Sequence, residues 1–382
     1  MRILWHSVAP WIKTGYGSQT EIFAKRIQEI LGHDVAISSW CSIGGMSTYN
    51  DLPVYPKKAE NFGNDIIQEH AKHWNADLVI TLADQWVFDA NIMKDLPWLA
   101  WSPVDHDPMP PKVKDVLQQG YAVPVAYSQF GLAKMQEQGL NALYVPHAVH
   151  QDYLENIKQI DARKKLNLPT DAFIIGMVGV NQCVPNRKSY PLALQAFAEF
   201  RKNHKDAFLY MHTQSFSSEG VDLKPLIDHL QLPEDSYLFA DEYKSLLGYS
   251  ELEMCHLYSS FDVFLTPNIG EGFGIPLIEA QATGCPIIAT NWTTMPELCF
   301  FGELVEGQLV YTNQSSFQKV PELEQVINAL IKVYNYSTEE LESGREHAKT
   351  MIRKHYHPDT VTQNLWSKVL EQALERVGNW KY

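Results

Sequence analysis

The chain has 382 residues, of which 45% are hydrophobic and 20% are charged. The length predicts about two globular domains, and the apolar fraction is large enough to fill their cores, which excludes a disordered chain. The formal net charge of -14 at pH 7 argues against a broad nucleic-acid surface, because nonspecific affinity for nucleic acid needs clustered Lys and Arg. It leaves open action on a nucleic acid or a lipid through a narrow site.

Several features bear on the compartment. The first ten residues, MRILWHSVAP, carry one early positive charge and no sustained apolar core, so we predict no signal peptide. No run approaches the roughly 18 apolar residues of a membrane span. The five cysteines form no C-x-x-C pair, and most have apolar neighbours, which predicts buried, reduced thiols and a cytoplasmic location. The cysteines are Cys41, Cys183, Cys255, Cys285 and Cys299.

Two short basic stretches, at 163–165 and 201–205, interrupt this acidic composition. We interpret both as solvated faces of helices, because isolated charge runs of this length are usually exposed to water. A membrane- or phosphate-binding role for either stretch is the alternative, so peripheral membrane contact stays an open but unsupported possibility.

Strand-like and helical patterns alternate through the first half of the chain. Apolar runs predict strands over 2–6, 33–40, 77–83, 98–102, 123–128 and 142–149. A loop with Gly15 and Gly17 follows the first strand, and Ser18 and Glu21 have capping-box spacing for a helix that Gly32 closes. The alternation predicts a doubly wound α/β domain.

A linker at 151–168 leads into a second alternating series, which begins with a strand over 173–180. In this series Ser250 and Glu253 form another capping box, for a helix that ends at Tyr258. Near the C-terminus, apolar residues recur about every four positions from 361 to 377, which predicts an amphipathic helix in need of an apolar partner. The two series therefore look like two Rossmann-like halves.

The most informative segment of the second half is the glycine-rich turn at 268–274. A buried strand over 261–266 precedes it, Pro276 fits the first turn of the following helix, and Gly284 falls where that helix should end. Another buried strand is predicted over 286–290. The segment is therefore a βαβ unit whose loop lies at the carboxyl end of a strand, where open parallel sheets bind ligands.

Two carboxylates bracket this turn. Glu271 lies at the mouth of the loop, and Glu279 lies about one turn into the helix. Gly272 and Gly274 allow the backbone N–H groups to approach a ligand closely. Ionised carboxylates only accept hydrogen bonds, which suits the neighbouring hydroxyls of a sugar. The pattern indicates a polyhydroxyl ligand.

A basic pair, Arg187 and Lys188, lies between the end of the strand near Val180 and a helix that Pro191 opens. Both side chains should project near the start of that helix, where together they could neutralise a diphosphate. The alternative is a solvated pair of charges at a helix start.

The pattern Glu271-Gly-Phe-Gly-Ile-Pro-Leu-Ile-Glu279 resembles the donor-site signature of retaining nucleotide-sugar glycosyltransferases of family 4. The resemblance extends through the second half of the chain, including Val178-Gly179, the 186–188 segment and Met295-Pro296-Glu297. It implies the GT-B fold, in which two Rossmann-like domains face a cleft and the last helix crosses back. The implied domains are 1–155 with about 358–382, on the acceptor side, and 156–357, which binds the donor.

The resemblance also implies roles for these residues. Glu271 would hold the C3 and C4 hydroxyls of the sugar, Glu279 the ribose diol, and Arg187 and Lys188 the leaving diphosphate. Amides of the loop would assist at Gly272, Phe273, Gly274 and Ile275. Many family members carry an Arg where this chain has Val180, so Arg187 and Lys188 are the main candidates.

The implied reaction moves a hexose from a nucleotide-diphosphate sugar, UDP- or GDP-linked, to a hydroxyl acceptor on a glycan, a lipid or another molecule. It proceeds with retention and needs no metal ion or other cofactor.

Gly15 and Gly17 resemble the glycine loop with which the first domain of this family approaches the donor phosphates or the acceptor. The third glycine of G-x-G-x-x-G is replaced by Thr20, and no acid ends the second strand, so a nicotinamide-dependent oxidoreductase is not indicated.

Asp105-His106-Asp107 contains D-x-D, which holds a metal ion in GT-A glycosyltransferases. We favour His106, or Asp105, as a polar contact to sugar or acceptor, with a purely structural loop as the alternative. His147 resembles part of the interdomain turn of the family and is interpreted as a hinge residue.

Three other activities are considered. A glycoside hydrolase would also use two carboxylates, but the basic pair implies an anionic leaving group. A GT-B sugar-nucleotide epimerase would share the phosphate site and need no external acceptor. A non-catalytic sugar-nucleotide-binding protein would bind donor without turnover.

Overall fold

The structure is a computed structural model that describes residues 1–41 and 43–378. These residues divide into two compact units. Unit 1 comprises Met1–His150, Thr312–Ser316 and the chain from His355 onward, and unit 2 comprises Gln151–Tyr311 and Phe317–Lys354.

The first part of unit 1 alternates strands and helices. Its elements are β1 (Arg2–Val8), α1 (Gly15–Leu31), β2 (Asp34–Cys41), β3 (Ser47–Tyr49), β4 (Leu52–Tyr55), α2 (Ile67–Trp74), β5 (Leu78–Leu82), α3 (Ala90–Met93), β6 (Trp98–Ser102), α4 (Pro111–Gln119), β7 (Val123–Ala126), α5 (Gln129–Glu137) and β8 (Leu143–Tyr144). Within the described residues they form an eight-stranded sheet in the order β3-β4-β2-β1-β5-β6-β7-β8. Among the residues that the structure describes, only the β3–β4 pair of this sheet is antiparallel.

Unit 2 repeats the pattern. Its elements are α6 (Gln159–Lys165), β9 (Phe173–Val178), α7 (Tyr190–Asn203), β10 (Ala207–His212), α8 (Lys224–His229), β11 (Tyr237–Phe239), α9 (Glu242–Leu247), α10 (Glu251–Ser260), β12 (Val263–Thr266), α11 (Ile275–Ala282), β13 (Ile287–Thr290), α12 (Met295–Leu298), β14 (Gly302–Val305), β15 (Gly307–Tyr311), β16 (Phe317–Pro321), α13 (Leu323–Tyr334) and α14 (Thr338–Tyr356). Among the described residues, six parallel strands form a sheet in the order β11-β10-β9-β12-β13-β14, and β15 pairs antiparallel with β16.

The core of unit 2 explains why its strand ends are rigid. Ile175 of β9 and Leu265 of β12 are buried beneath Phe197 of α7 and Leu330 of α13. Burying each such side chain contributes about 1.5–3 kcal/mol, so the packed helices fix the sheet. Because β9, β12 and β13 are neighbours and parallel, their carboxyl ends lie at one edge.

The chain returns to unit 1 through α15 (Pro358–Val361) and α16 (Ser367–Val377), which are joined by a π-helical turn. Trp366 ends that turn and is 0% exposed. Its ring packs 5.8 Å from Trp5 and 5.0 Å from Trp101, between ring centroids. The predicted amphipathic helix thus finds its apolar partner in the core of unit 1.

The predicted start of α1 is wrong. The helix begins at Gly15 rather than after Gly17, and Thr14 is its N-cap, with an Oγ1 that accepts from the Gly17 N–H at 3.2 Å. Ser18 and Glu21 therefore form no capping box. The Glu21 carboxylate instead accepts a hydrogen bond from Tyr49, because a folded neighbour competes for it.

The second capping box is confirmed. Ser250 Oγ accepts from the Glu253 N–H at 3.3 Å, and the Glu253 carboxylate accepts from the Ser250 N–H at 2.9 Å. Gly32 also closes α1 in the left-handed conformation, as predicted.

Other predictions need correction. The strand expected over 142–149 is only Leu143–Tyr144, and the expected linker at 151–168 contains α6. Arg163 is not solvated, because it is buried and donates to the Ser260 carbonyl at 2.9 Å. Two of the thiols expected to be buried, those of Cys41 and Cys183, are exposed.

No helix within residues 1–41 and 43–378 combines the length and the apolar character that crossing a membrane requires.

Candidate functional site

The loops that leave β9, β12 and β13 meet at one edge of the sheet of unit 2. Arg187 and Lys188 lie on the loop between β9 and α7, and Glu271 lies on the loop between β12 and α11. Thr293 and Thr294 lie on the loop after β13. Adjacent parallel strands bring these three loops together, as expected for the ligand edge of such a sheet.

The backbone of the Glu271 loop is fixed by Gly274, which precedes α11. Gly274 has φ 97°, and a Cβ there would lie 2.4 Å from Leu277 Cδ1, so glycine is required. Pro276 lies in the first turn of α11, as predicted. The chain therefore turns sharply enough to present Glu271 just before the helix.

The two threonines after β13 secure the same loop. Thr294 Oγ1 donates to the Phe273 carbonyl at 2.6 Å and to the Glu271 carbonyl at 3.3 Å. The Glu271 N–H donates to Thr293 Oγ1 at 3.1 Å. Both threonines are buried, so their hydrogen bonds hold the loop in a single position.

Glu271 is the centre of a buried ionic cluster. It is 7% exposed, and its Oε1 contacts Lys188 Nζ directly and accepts from Asn268 Nδ2 at 2.5 Å. Its Oε2 lies 3.3 Å from Arg187 Nη1, which also donates to the Gly270 carbonyl at 3.1 Å. The structure thus brings together the acid and both bases that the sequence singled out.

The cluster shifts the pKa values of its members. Burial alone would raise the pKa of Glu271, but the Lys188 ammonium and the Arg187 guanidinium outweigh it and lower the pKa to about 2. Burial also lowers the pKa of Lys188, although its contact with Glu271 opposes this. Glu271 is therefore ionised at neutral pH and can only accept hydrogen bonds.

Glu279 has different surroundings. On α11 it accepts from the Tyr258 hydroxyl at 3.0 Å through Oε2. Burial of its carboxyl group and the nearby Glu251 carboxylate raise the pKa of Glu279 to about 8, although the Tyr258 and Tyr153 hydroxyls oppose the shift. Its surroundings therefore favour the protonated form of Glu279, whereas the sequence pattern suggested an ionised carboxylate.

The remaining residues of the predicted donor loop differ in exposure. Gly272 and Ile275 are half-buried, and Phe273 and Gly274 are buried. Ile275 is the first residue of α11. Backbone groups of this segment, rather than the Phe273 ring, are therefore the parts that a ligand could contact.

Among the predicted residues of unit 1, the glycines lie in a helix and not in an open loop. Gly15 and Gly17 occupy the first turn of α1, and Thr14 accepts the Gly17 N–H. This corrects the loop expected around them.

His106 is 1% exposed, and its Nδ1 lies 2.7 Å from Asp105 Oδ1. Asp107 faces Lys134 instead, at 3.0 Å between Oδ1 and Nζ. The two acids of D-x-D thus have different partners. In the described parts of the chain, no group of three or more His, Cys, Asp or Glu side chains could hold a metal ion.

His147 lies inside the core of unit 1. Its ring centroid is 4.6 Å from that of Trp101 and 4.2 Å from that of Tyr127. Burial lowers the pKa of His147 to about 3, so the ring is uncharged at neutral pH.

Several partners of the predicted residues were not expected from the sequence. Asn268, Thr293 and Thr294 support Glu271, and Tyr258 binds Glu279. Asp84, two residues past β5, was also missed, and its Oδ2 accepts from Tyr16 OH at 3.3 Å. A polar residue just past a buried strand was the available signal for Asn268, Thr293 and Asp84.

Comparison with solved structures identifies the fold of the protein. Sucrose-phosphate synthase from Thermosynechococcus elongatus has the same fold, with a TM-score of 0.74 at 14% identity over 99% of this chain and 100% of that one. Anabaena HepE in complex with UDP-glucose gives a TM-score of 0.71 at 15% identity, covering 97% and 100%. The chain therefore has the GT-B fold, and the fold-class prediction is confirmed.

The sequence family described as "Glycosyl transferases group 1" matches residues 158–328, which include Arg187, Lys188, Glu271 and Glu279. An uncharacterized glycosyltransferase of Sulfolobus islandicus rod-shaped virus 1 is 25% identical over 64% of this chain and 70% of its own length. The O-antigen biosynthesis glycosyltransferase WclY of Escherichia coli is 30% identical over 38% of this chain. The matched part covers only 36% of the length of WclY. The resemblance to GT-B glycosyltransferases is confirmed.

Proposed function

We propose that the protein is a retaining glycosyltransferase that moves a hexose from a nucleotide-diphosphate sugar to a hydroxyl acceptor, without a metal ion or other cofactor. The observation that carries this proposal is the buried contact of Glu271 with Lys188 and Arg187. The Glu271 carboxylate would bind hydroxyls, and the Lys188 and Arg187 cations would bind phosphate. A sugar diphosphate carries hydroxyl and phosphate groups next to each other.

Glu271 is the group we propose for the transferred sugar. Its low pKa keeps it ionised, so it can accept hydrogen bonds from two neighbouring hydroxyls at C3 and C4. The threonine-held backbone fixes the carboxylate before substrate arrives, which reduces the reorganisation needed during the reaction. The amides of the 272–275 segment would add donors to the same sugar.

Arg187 and Lys188 are the groups we propose for the diphosphate. Both are held close to Glu271, so their positive charge is concentrated at one point of the site. Charge would build on the phosphate oxygens as the sugar leaves, and these cations would stabilise it. Cations supplied by the protein support a reaction that needs no metal ion.

Glu279 is the group we propose for the ribose. With a raised pKa it can both donate and accept, and either mode suits a diol. For unit 1 we propose His106, together with Gly15 and Gly17, as contacts to sugar or acceptor. The Nδ1 contact with Asp105 leaves His106 Nε2 as the ring atom for that purpose.

The relatives support a hexose donor. One of them is named O-antigen chain mannosyltransferase B of Escherichia coli, and the HepE structure holds UDP-glucose. We therefore propose a UDP- or GDP-linked hexose as the donor and a hydroxyl of a glycan, lipid or other molecule as the acceptor.

Retention follows if the acceptor oxygen attacks on the face from which the diphosphate leaves. The departing phosphate can take the acceptor proton, so no enzymic base is required. Hydrolysis by two carboxylates fits less well, because an attacking carboxylate must reach the sugar carbon. Lys188 and Arg187 beside Glu271 instead suit an anionic leaving group, which an ordinary glycoside lacks.

The test begins with calorimetry of the full chain against uridine-, guanosine- and adenosine-diphosphate sugars, followed by turnover with the donor that binds. We expect Glu271→Gln to lower turnover at least about 100-fold with nucleotide binding mostly intact. Glu279→Ala should weaken nucleotide binding. Glu342→Gln, which removes the charge of an exposed residue on α14, serves as the matched control.

Normal transfer by Glu271→Gln would refute the assignment. Proton NMR of the product reports the anomeric configuration, and inversion would contradict retention. Free altered sugar or nucleotide formed without an acceptor would identify an epimerase instead, and donor binding with no turnover would identify a non-catalytic protein.

A further inference from the structure

A pocket of about 270 Å³ lies in unit 2, away from the donor loop. Phe261 and Cys285 line it, and they precede the amino ends of β12 and β13, whereas Glu271 follows the carboxyl end of β12. Arg345 and Lys349 of α14 line the other side. The volume is near the lower limit of about 300 Å³ for sites that enclose small molecules.

The pocket is basic, although the whole chain is acidic. Lys158, Arg345 and Lys349 line it, against a net charge of -14 for the chain. Lys349 Nζ lies 3.3 Å from Glu346 Oε1, but the Glu346 side chain is 74% exposed. An ion pair so open to water offsets little of the positive potential inside the pocket.

One lining residue carries a buried polar atom that lacks an acceptor. Within the part of the chain that the structure describes, Arg345 Nε is buried and has no hydrogen-bond partner. Buried polar groups of proteins are nearly always hydrogen-bonded, so this N–H calls for an explanation. An acceptor bound in the pocket would satisfy it.

The turn between α11 and β13 is shaped to let the basic side chains of α14 lie against it. Gly284 has φ +85°, and a Cβ there would lie 2.8 Å from Lys349 Cε and 3.3 Å from Arg345 Cβ. Glycine therefore permits both the left-handed turn and the close approach of the two side chains. The cations are held at the pocket wall rather than free in solvent.

We propose that this pocket binds a phosphoryl-bearing anion. The guanidinium of Arg345 matches the geometry of phosphate oxygens, and Lys158 and Lys349 add point charges. These cations together favour the near-divalent charge of a phosphoryl group at neutral pH over a single carboxylate. The proposal stands apart from the donor site and does not depend on the function proposed above.

The test is calorimetric titration of the full chain with inorganic phosphate at constant ionic strength, so that screening does not change. To remove the contribution of the donor site, every protein carries Arg187→Gln and Lys188→Gln. Adding Arg345→Gln and Lys349→Gln should weaken binding at least about tenfold, because charge-assisted hydrogen bonds are lost. Lys354→Gln, the same change at an exposed position of α14, should leave it unaltered.

Lys158→Gln keeps the proposal testable if the α14 variants fail to fold, because Lys158 is exposed and its replacement leaves the core intact. It should weaken phosphate binding several-fold. Equal phosphate affinity in the Lys158, Arg345 and Lys349 variants and in the control would overturn the proposal.

Two further probes distinguish the source of the phosphoryl group. Glycerol 3-phosphate tests a small soluble ester, and sedimentation with phosphatidylcholine vesicles, with and without phosphatidate, tests a lipid headgroup. Binding of either that the Arg345 and Lys349 changes abolish supports the site and assigns its ligand class. Failure of phosphate, ester and phosphatidate vesicles to bind would refute it.

Discussion

Glu271 and Glu279 are close in sequence, yet their surroundings shift their pKa values in opposite directions. Lys188 and Arg187 lower the pKa of Glu271, whereas burial and Glu251 raise that of Glu279. These neighbours come from other elements, so the E-x7-E pattern alone could not distinguish the two acids. Folding turns one carboxylate into a fixed acceptor and the other into a group that titrates near neutrality.

The shift of Glu279 predicts how stability depends on pH. Its pKa of about 8 exceeds the ordinary value of 4.5, so between these values the folded protein holds more protons than the unfolded one. Stability is therefore lost as pH rises through this window. Replacing Glu279 by Gln should reduce the loss between about pH 5 and about pH 9 by about 4 kcal/mol.

The measurement is the free energy of unfolding in urea at several pH values. Glu342→Gln, at an exposed position, is the control and should follow the wild-type curve. Identical pH profiles for the wild type and Glu279→Gln would contradict the shift. Glu271 does not interfere, because its lowered pKa places its own loss of stability at more acid pH.

Part of the candidate site was predictable residue by residue. The rule that parallel strands present their carboxyl ends at one edge was enough to expect Arg187, Lys188 and Glu271 near each other. The supports Asn268 and Thr293 were not expected, because polar residues follow many strands and only tertiary contact selects the useful ones. The roles of all these residues stay predictions.

Helix starts show how local patterns succeed or fail. Ser250 and Glu253 form the capping box that their spacing predicts, because Glu253 Oε2 accepts from the Ser250 N–H while Oε1 is left to pair with Lys244. Ser18 and Glu21 have the same spacing, but Thr14 caps α1 and the Glu21 carboxylate accepts from Tyr49. Two cap-forming residues four apart make the start of α1 ambiguous from sequence alone.

Loss of the Ser250 cap should be measurable. Ser250→Ala removes the acceptor for the Glu253 N–H and should lower the free energy of unfolding of unit 2 by about 1 kcal/mol. Ser343→Ala, in the second turn of α14, should have almost no effect, because alanine favours a helix interior. The midpoints of urea unfolding, followed by circular dichroism, compare the two. Equal midpoints would contradict the cap assignment.

At the scale of the whole molecule, the α/β class was predictable because buried parallel strands read as continuous apolar runs between helical patterns. The edge strand β3 and its neighbour β4 were not predicted, and neither were β15 and β16. Leu309 and Tyr311 of β15 are exposed, so this hairpin lacks the burial pattern on which strand prediction rests. These strands form because they pair with residues distant in sequence, and sequence periodicity carries no information about such pairing.

The return of the chain to unit 1 is held by Trp366. Trp366→Ala should cost about 3–5 kcal/mol, because it leaves a cavity among Trp5, Phe23 and Trp101. Trp366→Phe should cost at least about 2 kcal/mol less, since the indole N–H has no partner among the described residues and the ring contacts persist.

Thermal and urea unfolding, followed by tryptophan fluorescence, measure both changes at position 366. Leu374→Ala, at an exposed position of α16, is the control and should cost little. Equal losses for Trp366→Ala and Leu374→Ala would show that the packing of the last helices does not stabilise unit 1.

The position of Trp366 also sets an order on folding during synthesis. Domains generally fold as units while the chain emerges from the ribosome, the earliest first. Here the core around Trp5 is incomplete until Trp366 has been made, and all of unit 2 is translated in between. The unit that is begun first is therefore finished last, and until then its exposed tryptophans are a surface that a chaperone would cover.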